Sequence, residues 1–186
     1  MRIIAGEWRG RRIKAPGGGD VRPTTDRVRE AWMSALGGRL DRLTVLDLFA
    51  GSGALGLEAL SRGAAHVTFV ERARQSLRNL DENLRRLQAG GRATVVKGDA
   101  FGYVRRLACG SFDLALADPP YEKGHAARLL VWFEEVPFAR ELWLEHRTGE
   151  PIPELRGMTQ RRYGDTTLTS VAAEPAGVEP HDREDT

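Results

Sequence analysis

The chain carries one cysteine, Cys109, in 186 residues. That rules out an intrachain disulfide and a CxxC pair for zinc. It suits a reducing compartment, with Cys109 expected as a buried free thiol. Long apolar runs are also missing. Nothing approaches the ~18 apolar residues of a membrane span, and Met1-Arg2-Ile3-Ile4-Ala5 gives way to Glu7 and Arg9 too soon for a signal peptide. A cytoplasmic location is expected, and no membrane partner. Histidine is sparse: His66, His125, His146 and His181 have no ligand spacing, so no metal is expected. No internal repeat points to a solenoid or propeller. Lysine is scarce beside arginine, 3 against 25, and guanidinium is the better group for bidentate phosphate contact and stacking on bases.

The net charge of +2 leaves no strong excess of either sign, but it conceals an uneven distribution. Residues 174–186 carry a net −4, and residues 1–15 a net +4 from Arg2, Arg9, Arg11, Arg12 and Lys14 against Glu7. A chain of this length buries roughly 70% of its unfolded surface, enough for one domain with its own core. A monomer is expected.

Residues 2–14 contain two short β-prone runs around Gly6–Gly10 and read as a basic hairpin. Pro16-Gly17-Gly18-Gly19 follows as a link, so residues 1–20 are expected as an appendage. From Asp26, Val28, Ala31, Trp32, Ala35 and Leu36 recur on one helical face that Gly37-Gly38 ends. Strands and helices then alternate. Residues 44–49, 67–70, 94–96, 112–117 and 142–144 are short apolar strands of the kind covered on both faces. Residues 73–87 form a helix with Leu77, Leu80, Leu84 and Leu87 inward and Arg74, Arg78, Arg85 and Arg86 outward. Residues 161–171, turning at Gly164-Asp165, close the sheet as an antiparallel pair. The prediction is an α/β fold, a doubly wound, mostly parallel seven-stranded sheet with an antiparallel last strand, over residues 21–173. Ligands bind at the carboxyl ends of such strands. Residues 174–186 read as a disordered acidic tail.

Two segments carry chemistry. In Leu46-Asp47-Leu48-Phe49-Ala50-Gly51-Ser52-Gly53-Ala54-Leu55-Gly56 a strand passes through glycines into a helix. There backbone can approach a ligand and the helix start offers N–H groups. Glu71 follows Gly51 by 20 residues, placed to grip two ribose hydroxyls; a tight turn without ligand is the plainer reading. Asp47, a carboxylate in an apolar strand, needs a partner. It would repel a dinucleotide pyrophosphate and accept the amino group of S-adenosylmethionine (SAM), or else cap a neighbouring loop. Asp99 either accepts from an adenine amine, with Phe101 near the ring, or caps a helix.

The second segment is Asp118-Pro119-Pro120-Tyr121. Its prolines remove two N–H donors and leave the Asp118 carboxylate and Pro119 carbonyl as acceptors. An exocyclic base amine is a poor nucleophile because its lone pair is delocalised into the ring. Two acceptors on its hydrogens can aim that lone pair at an electrophilic methyl group, while Tyr121 offers a face for an extruded base. A plain strand-ending turn is the alternative.

With these two motifs, the start Arg2-Ile3-Ile4-Ala5-Gly6 with Arg9-Gly10-Arg11, the segment Arg22-Pro23-Thr24-Thr25-Asp26-Arg27-Val28-Arg29-Glu30 and the close Arg162-Tyr163-Gly164-Asp165-Thr166 are similar to the bacterial 16S rRNA guanine-N2 methyltransferase D (RsmD) family of class I SAM-dependent methyltransferases. The resemblance covers residues 1–172. It implies that Thr24 and Thr25 lie against the methionine part of SAM. It places Asp47, Phe49, Gly51, Ser52 and Gly53 around the SAM pocket, Glu71 at the ribose, and Asp99 with Ala100 at the adenine. Asp118, Pro119, Pro120 and Tyr121 would hold a guanine of 16S rRNA in the small subunit, guanine 966 in the usual numbering. Arg2, Arg9, Arg11, Arg12, Lys14, Arg22 and Arg27 would contact phosphates, making binding salt-dependent. Deleting residues 1–15 should then spare SAM affinity and abolish RNA methylation.

The stretch Glu145–Arg156 matches nothing in the family, and it is expected to lie away from the site. Three other functions remain open at this point: a DNA adenine-N6 methyltransferase, a nicotinamide-dependent enzyme, and a non-catalytic RNA-binding assembly protein.

Overall fold

The structure is a computed structural model that describes residues 1–15, 23–38, 40–121 and 123–174; of residues 23–27 it describes the backbone alone. Arg22 and the acidic residues beyond Glu174 lie outside the described residues, as do the side chains of Thr24, Thr25 and Arg27.

Five parallel strands and their helices come in chain order: α1 (Pro23–Ala35), β1 (Thr44–Leu48), α2 (Ala54–Ser61), β2 (His66–Glu71), α3 (Arg74–Leu87), β3 (Ala93–Lys97), α4 (Ala100–Val104), β4 (Phe112–Ala117), α5 (His125–Glu135) and β5 (Ala139–Arg147). The antiparallel strands β6 (Thr159–Tyr163) and β7 (Thr166–Ala172) complete one sheet in the order β3-β2-β1-β4-β5-β7-β6. This is the predicted doubly wound fold, with the antiparallel pair at one end. Trp32, Leu57, Leu60, Phe69, Leu80 and Leu84 form a core beneath α1–α3, and Leu46, Leu48, Val104, Leu129 and Phe133 form another beneath α4 and α5. Central strands read as continuous apolar runs because both faces are covered. Edge strand β6 is largely exposed, which is why its sequence, Thr-Gln-Arg-Arg-Tyr, is polar. Among the described residues no helix is long and apolar enough to cross a membrane.

Three expectations change. First, residues 1–15 are part of the core. Ile3, Trp8 and Ile13 are buried within it, and Arg2 bridges Arg12 antiparallel. The buried Glu58 carboxylate accepts the Ile4 and Ala5 N–H groups at 2.8 and 3.0 Å. Asn83 pairs with both backbone groups of Lys14, at 2.7 Å to its N–H and 3.0 Å to its carbonyl. A segment whose edge groups are satisfied by α2 and α3 is a layer of the domain, because its polar backbone could not otherwise sit against apolar side chains.

Second, β5 runs to Arg147, past the apolar run that ends at Leu144. Its antiparallel pairing with β7 extends through Glu145, His146 and Arg147, and ladder bonds use backbone whatever the side chain. His146, buried there, is held by Thr169 Oγ1 at 2.8 Å and the Arg147 carbonyl at 3.0 Å. Third, Cys109 is a free but exposed thiol, because it lies in the polar connection between α4 and β4.

Candidate active site

Strand order reverses between β1 and β4, which lie side by side with Leu48 opposite Ala117. The glycine loop leaves β1 and the Asp118–Tyr121 loop leaves β4, so the reversal brings both motifs to one crevice.

The glycine loop is tightly built. Gly51 and Gly53 take left-handed conformations with φ of 57° and 84°, which side chains resist. A Cβ on Gly51 would meet only the Phe49 carbonyl at 3.9 Å, so this stretch of backbone is open to a ligand; one on Gly56 would lie 2.3 Å from Phe69, so α2 packs directly on β2. Phe49 also has positive φ, 57°, a strained state for a bulky residue that clusters at functional sites. Its ring stacks on His125 at 5.6 Å and meets Phe101 edge-on at 5.9 Å.

The residues expected to hold SAM are distributed as follows. Glu71, at the end of β2, accepts the Gly51 N–H at 2.8 Å, which fixes its carboxylate at the loop. Asp99 caps α4, accepting the Gly102 N–H at 2.9 Å, with Ala100 buried behind it; the cap leaves lone pairs on the carboxylate. Ser52 is buried, and its carbonyl accepts from Asn83 at 2.9 Å. Phe101 is buried beneath Arg128, whose guanidinium lies 4.0 Å from the ring centroid. Asp47 is 1% exposed and accepts the Gly56 N–H at 2.9 Å. It therefore caps a helix start, the second of the two roles its sequence position left open.

Burial pushes Asp47 up to about 7; the Gly56 bond opposes the shift and Glu71 adds to it. Folded Asp47 thus holds its proton more tightly than the unfolded chain, so its contribution to stability falls as pH rises from about 4 to about 7. Between about pH 5 and about pH 8 the loss is ~2–3 kcal/mol. In urea unfolding across that range, Asp47→Asn should lose stability less steeply than the parent by about this amount; parallel pH profiles would show that Asp47 ionises freely.

The second loop borders a cavity of about 160 Å³ between α1, the first turn of α2 and β5, large compared with the space for one water. Asp118 and Tyr121 line it together with Trp32, Glu145 and Thr166. Asp118 is open to this cavity, yet protein crowds its carboxyl. That desolvation, then the charges of Glu145 and Asp47, holds its pKa well above the ordinary carboxylate value. Tyr121 is half-buried, and its hydroxyl donates to Glu145 Oε1 at 2.5 Å and meets Thr166 Oγ1 at 3.1 Å. Burial, then the Glu145 bond, raises its pKa, so it remains a donor. Trp32 Nε1 donates to the other Glu145 oxygen at 3.2 Å.

Glu145 therefore belongs to the site, contrary to the expectation that its stretch lies elsewhere. The register explains it: Ala117 pairs with Leu144, so the residues after them, Asp118 and Glu145, emerge together from adjacent strands. The signal that marked Asp47, a carboxylate following apolar strand residues, was also present at Glu145 in Leu142-Trp143-Leu144-Glu145. Trp32 and Thr166 carried no such signal; one reads as core and the other as the first residue of a hairpin strand.

A doubly wound sheet of this order, with a glycine loop after its first strand, an acid ending the second and Asp-Pro-Pro-Tyr after the fourth, defines a class I SAM-dependent methyltransferase. The chain matches the family described as "Conserved hypothetical protein 95" over residues 1–172. It is 38% identical over 181 residues to the Bacillus subtilis protein named "Putative rRNA methyltransferase YlbH", covering 92% of this chain and 97% of that one. It is 44% identical over 124 residues to ribosomal RNA small subunit methyltransferase D of Escherichia coli, covering 67% of this chain and 62% of that relative. The solved structure described as "Putative methyltransferase yhhF from Escherichia coli" superposes with a TM-score of 0.79 at 34% identity, over 94% of this chain and 99% of that one. The chain belongs to the ribosomal RNA small subunit methyltransferase D (RsmD) family.

Proposed function

We propose that this protein transfers a methyl group from SAM to the exocyclic N2 amine of a guanine in 16S rRNA, guanine 966 in the usual numbering, within the small subunit or its late precursor. The observation that carries the reading is the cavity shared by Asp118 and Tyr121 beside the glycine loop. The residues fit SAM: open backbone at Gly51, the Glu71 carboxylate held at that loop by the Gly51 N–H, and a buried carboxylate at Asp47. SAM supplies an electrophilic methyl group on a sulfonium and leaves as S-adenosylhomocysteine.

The chain's own residues prepare the amine. Asp118 and the Pro119 carbonyl accept its two hydrogens, so its lone pair points away from them. Tyr121, clamped by Glu145 and Thr166, holds the ring on which the base stacks. Once methylated, the amine is acidic and loses a proton to Asp118 or water. The raised pKa of Asp118 brings it nearer to that task than an ordinary carboxylate. No metal takes part in this scheme.

Tritiated methyl transfer to hypomethylated small subunits, naked 16S rRNA and DNA tests the reading. Label in RNA, mapped to a guanine N2, supports it; label in DNA alone would establish the adenine-N6 alternative.

The basic N-terminal segment is the proposed phosphate contact. Because Ile3, Trp8 and Ile13 are buried, deleting residues 1–15 would damage the core along with any RNA surface. Substitution at the exposed Arg9, Arg11 and Arg12 is the cleaner test. Replacing all three with Gln should weaken RNA binding and flatten the slope of log affinity against log salt by about 0.7–0.9 per lost phosphate contact, with S-adenosylhomocysteine affinity retained. An unchanged slope would remove these arginines from the RNA interface.

A further inference from the structure

The Asp-Pro-Pro-Tyr loop holds an amine, but base amines occur on adenine and cytosine as well as guanine, so the loop alone does not choose among them. On the reading above, the choice must come from a group beside the loop that meets the neighbouring ring position. In guanine that neighbour, N1, carries a hydrogen. In adenine the ring nitrogen beside the amine is an acceptor.

Glu145 is the side chain placed to tell the two apart. It leaves β5 next to Asp118 by strand register, and it lines the same cavity. The Tyr121 hydroxyl donates to one of its oxygens and the Trp32 indole to the other, so the carboxylate is held from two sides. An ionised carboxylate offers about four lone-pair sites, and these two donors occupy one on each oxygen. What remains in the cavity is acceptor capacity held in a fixed orientation. We infer that Glu145 is a specificity-determining residue that accepts the N1–H of the target guanine while Asp118 and the Pro119 carbonyl hold N2.

The inference accounts for a feature that catalysis at N2 does not require: a second carboxylate beside Asp118, although two neighbouring negative charges oppose each other. Guanine presents adjacent N1–H and N2–H donors and relieves that opposition. A ring with an unprotonated nitrogen at the same place sets a lone pair against a carboxylate, and a site built around a hydrogen bond rejects such an analogue strongly.

The test uses small subunits reconstituted with 16S rRNA that carries either guanine or 2-aminopurine at the methylated position. 2-Aminopurine keeps the N2 amine, lacks O6 and replaces N1–H with an acceptor, so the change in ratio on Glu145→Gln is what reads the N1 contact. The full-length parent should methylate the guanine particle at least ~10²-fold faster than the 2-aminopurine particle. Glu145→Gln, which can offer an N–H to that acceptor, should narrow the ratio about tenfold or more, which is ~1.4 kcal/mol of discrimination. Tyr121→Phe removes one of the two clamps and leaves the carboxylate with its Trp32 donor, so it should narrow the ratio less than Glu145→Gln does, whatever it does to the rate. Urea unfolding and S-adenosylhomocysteine binding establish that each variant is folded. A parent that does not distinguish the particles overturns the inference, as does a Glu145→Gln ratio equal to the parent's or a Tyr121→Phe ratio that narrows equally. A parent inactive on the guanine particle overturns the proposed function instead.

Discussion

Asp118→Ala should lower single-turnover methyl transfer to RNA by about 10²–10⁴-fold, the range for losing a positioned proton acceptor, while leaving S-adenosylhomocysteine binding close to the parent's. The two effects separate because Asp118 leaves β4, whereas the glycine loop, Glu71 and Asp99 belong to β1, β2 and the start of α4. Asp118→Asn keeps one acceptor oxygen for an amine hydrogen and loses the proton-accepting charge, so its rate should fall between Ala and the parent. Quench-flow with tritiated SAM reads the rate and calorimetry reads the binding. Parental activity in Asp118→Ala would mean that the Asp-Pro-Pro-Tyr loop does not hold the amine and would remove the basis of the proposed function.

Glu58→Ala should destabilise the fold by about 3–5 kcal/mol, a large part of the ~5–15 kcal/mol typical of a domain. The Glu58 carboxylate is fully buried. It accepts the Ile4 and Ala5 N–H groups, pairs with Arg62 Nε at 2.8 Å and lies 4.0 Å from Arg29 Nε. Removing it takes their acceptor from two backbone donors and from Arg62 Nε. Glu58→Gln keeps one acceptor oxygen and should cost less. Urea unfolding measures the loss, and limited proteolysis should show residues 1–15 cut first, because two of their anchors go with the side chain. A loss below about 1 kcal/mol would place Glu58 among ordinary surface-grade ion pairs.

The Glu58 and Glu145 carboxylates share a history in the sequence. Each interrupts an apolar run, Gly56-Leu57-Glu58-Ala59-Leu60 in a helix and Leu142-Trp143-Leu144-Glu145 in a strand. The desolvation argument that drew attention to Asp47 applies to both, since a carboxylate among apolar neighbours needs a partner wherever it occurs. What the argument does not provide is the partner. Glu58 answers backbone 54 residues away at Ile4, and Glu145 answers an indole 113 residues away at Trp32.

By itself, the sequence determined what depends on short-range physics. Apolar period and turn residues defined the alternating strands and helices, glycine and proline chemistry defined two ligand loops, and together with the family motifs these pointed to the methyltransferase class. Tertiary structure decided what depends on register and packing. It placed Glu145 beside Asp118, joined Trp32 and Tyr121 through one carboxylate, drew Ile3, Trp8 and Ile13 into the core, and left Cys109 on the surface. The division is physical: a backbone conformation is set within a few residues, whereas a buried polar group is satisfied by whichever part of the chain the fold brings against it.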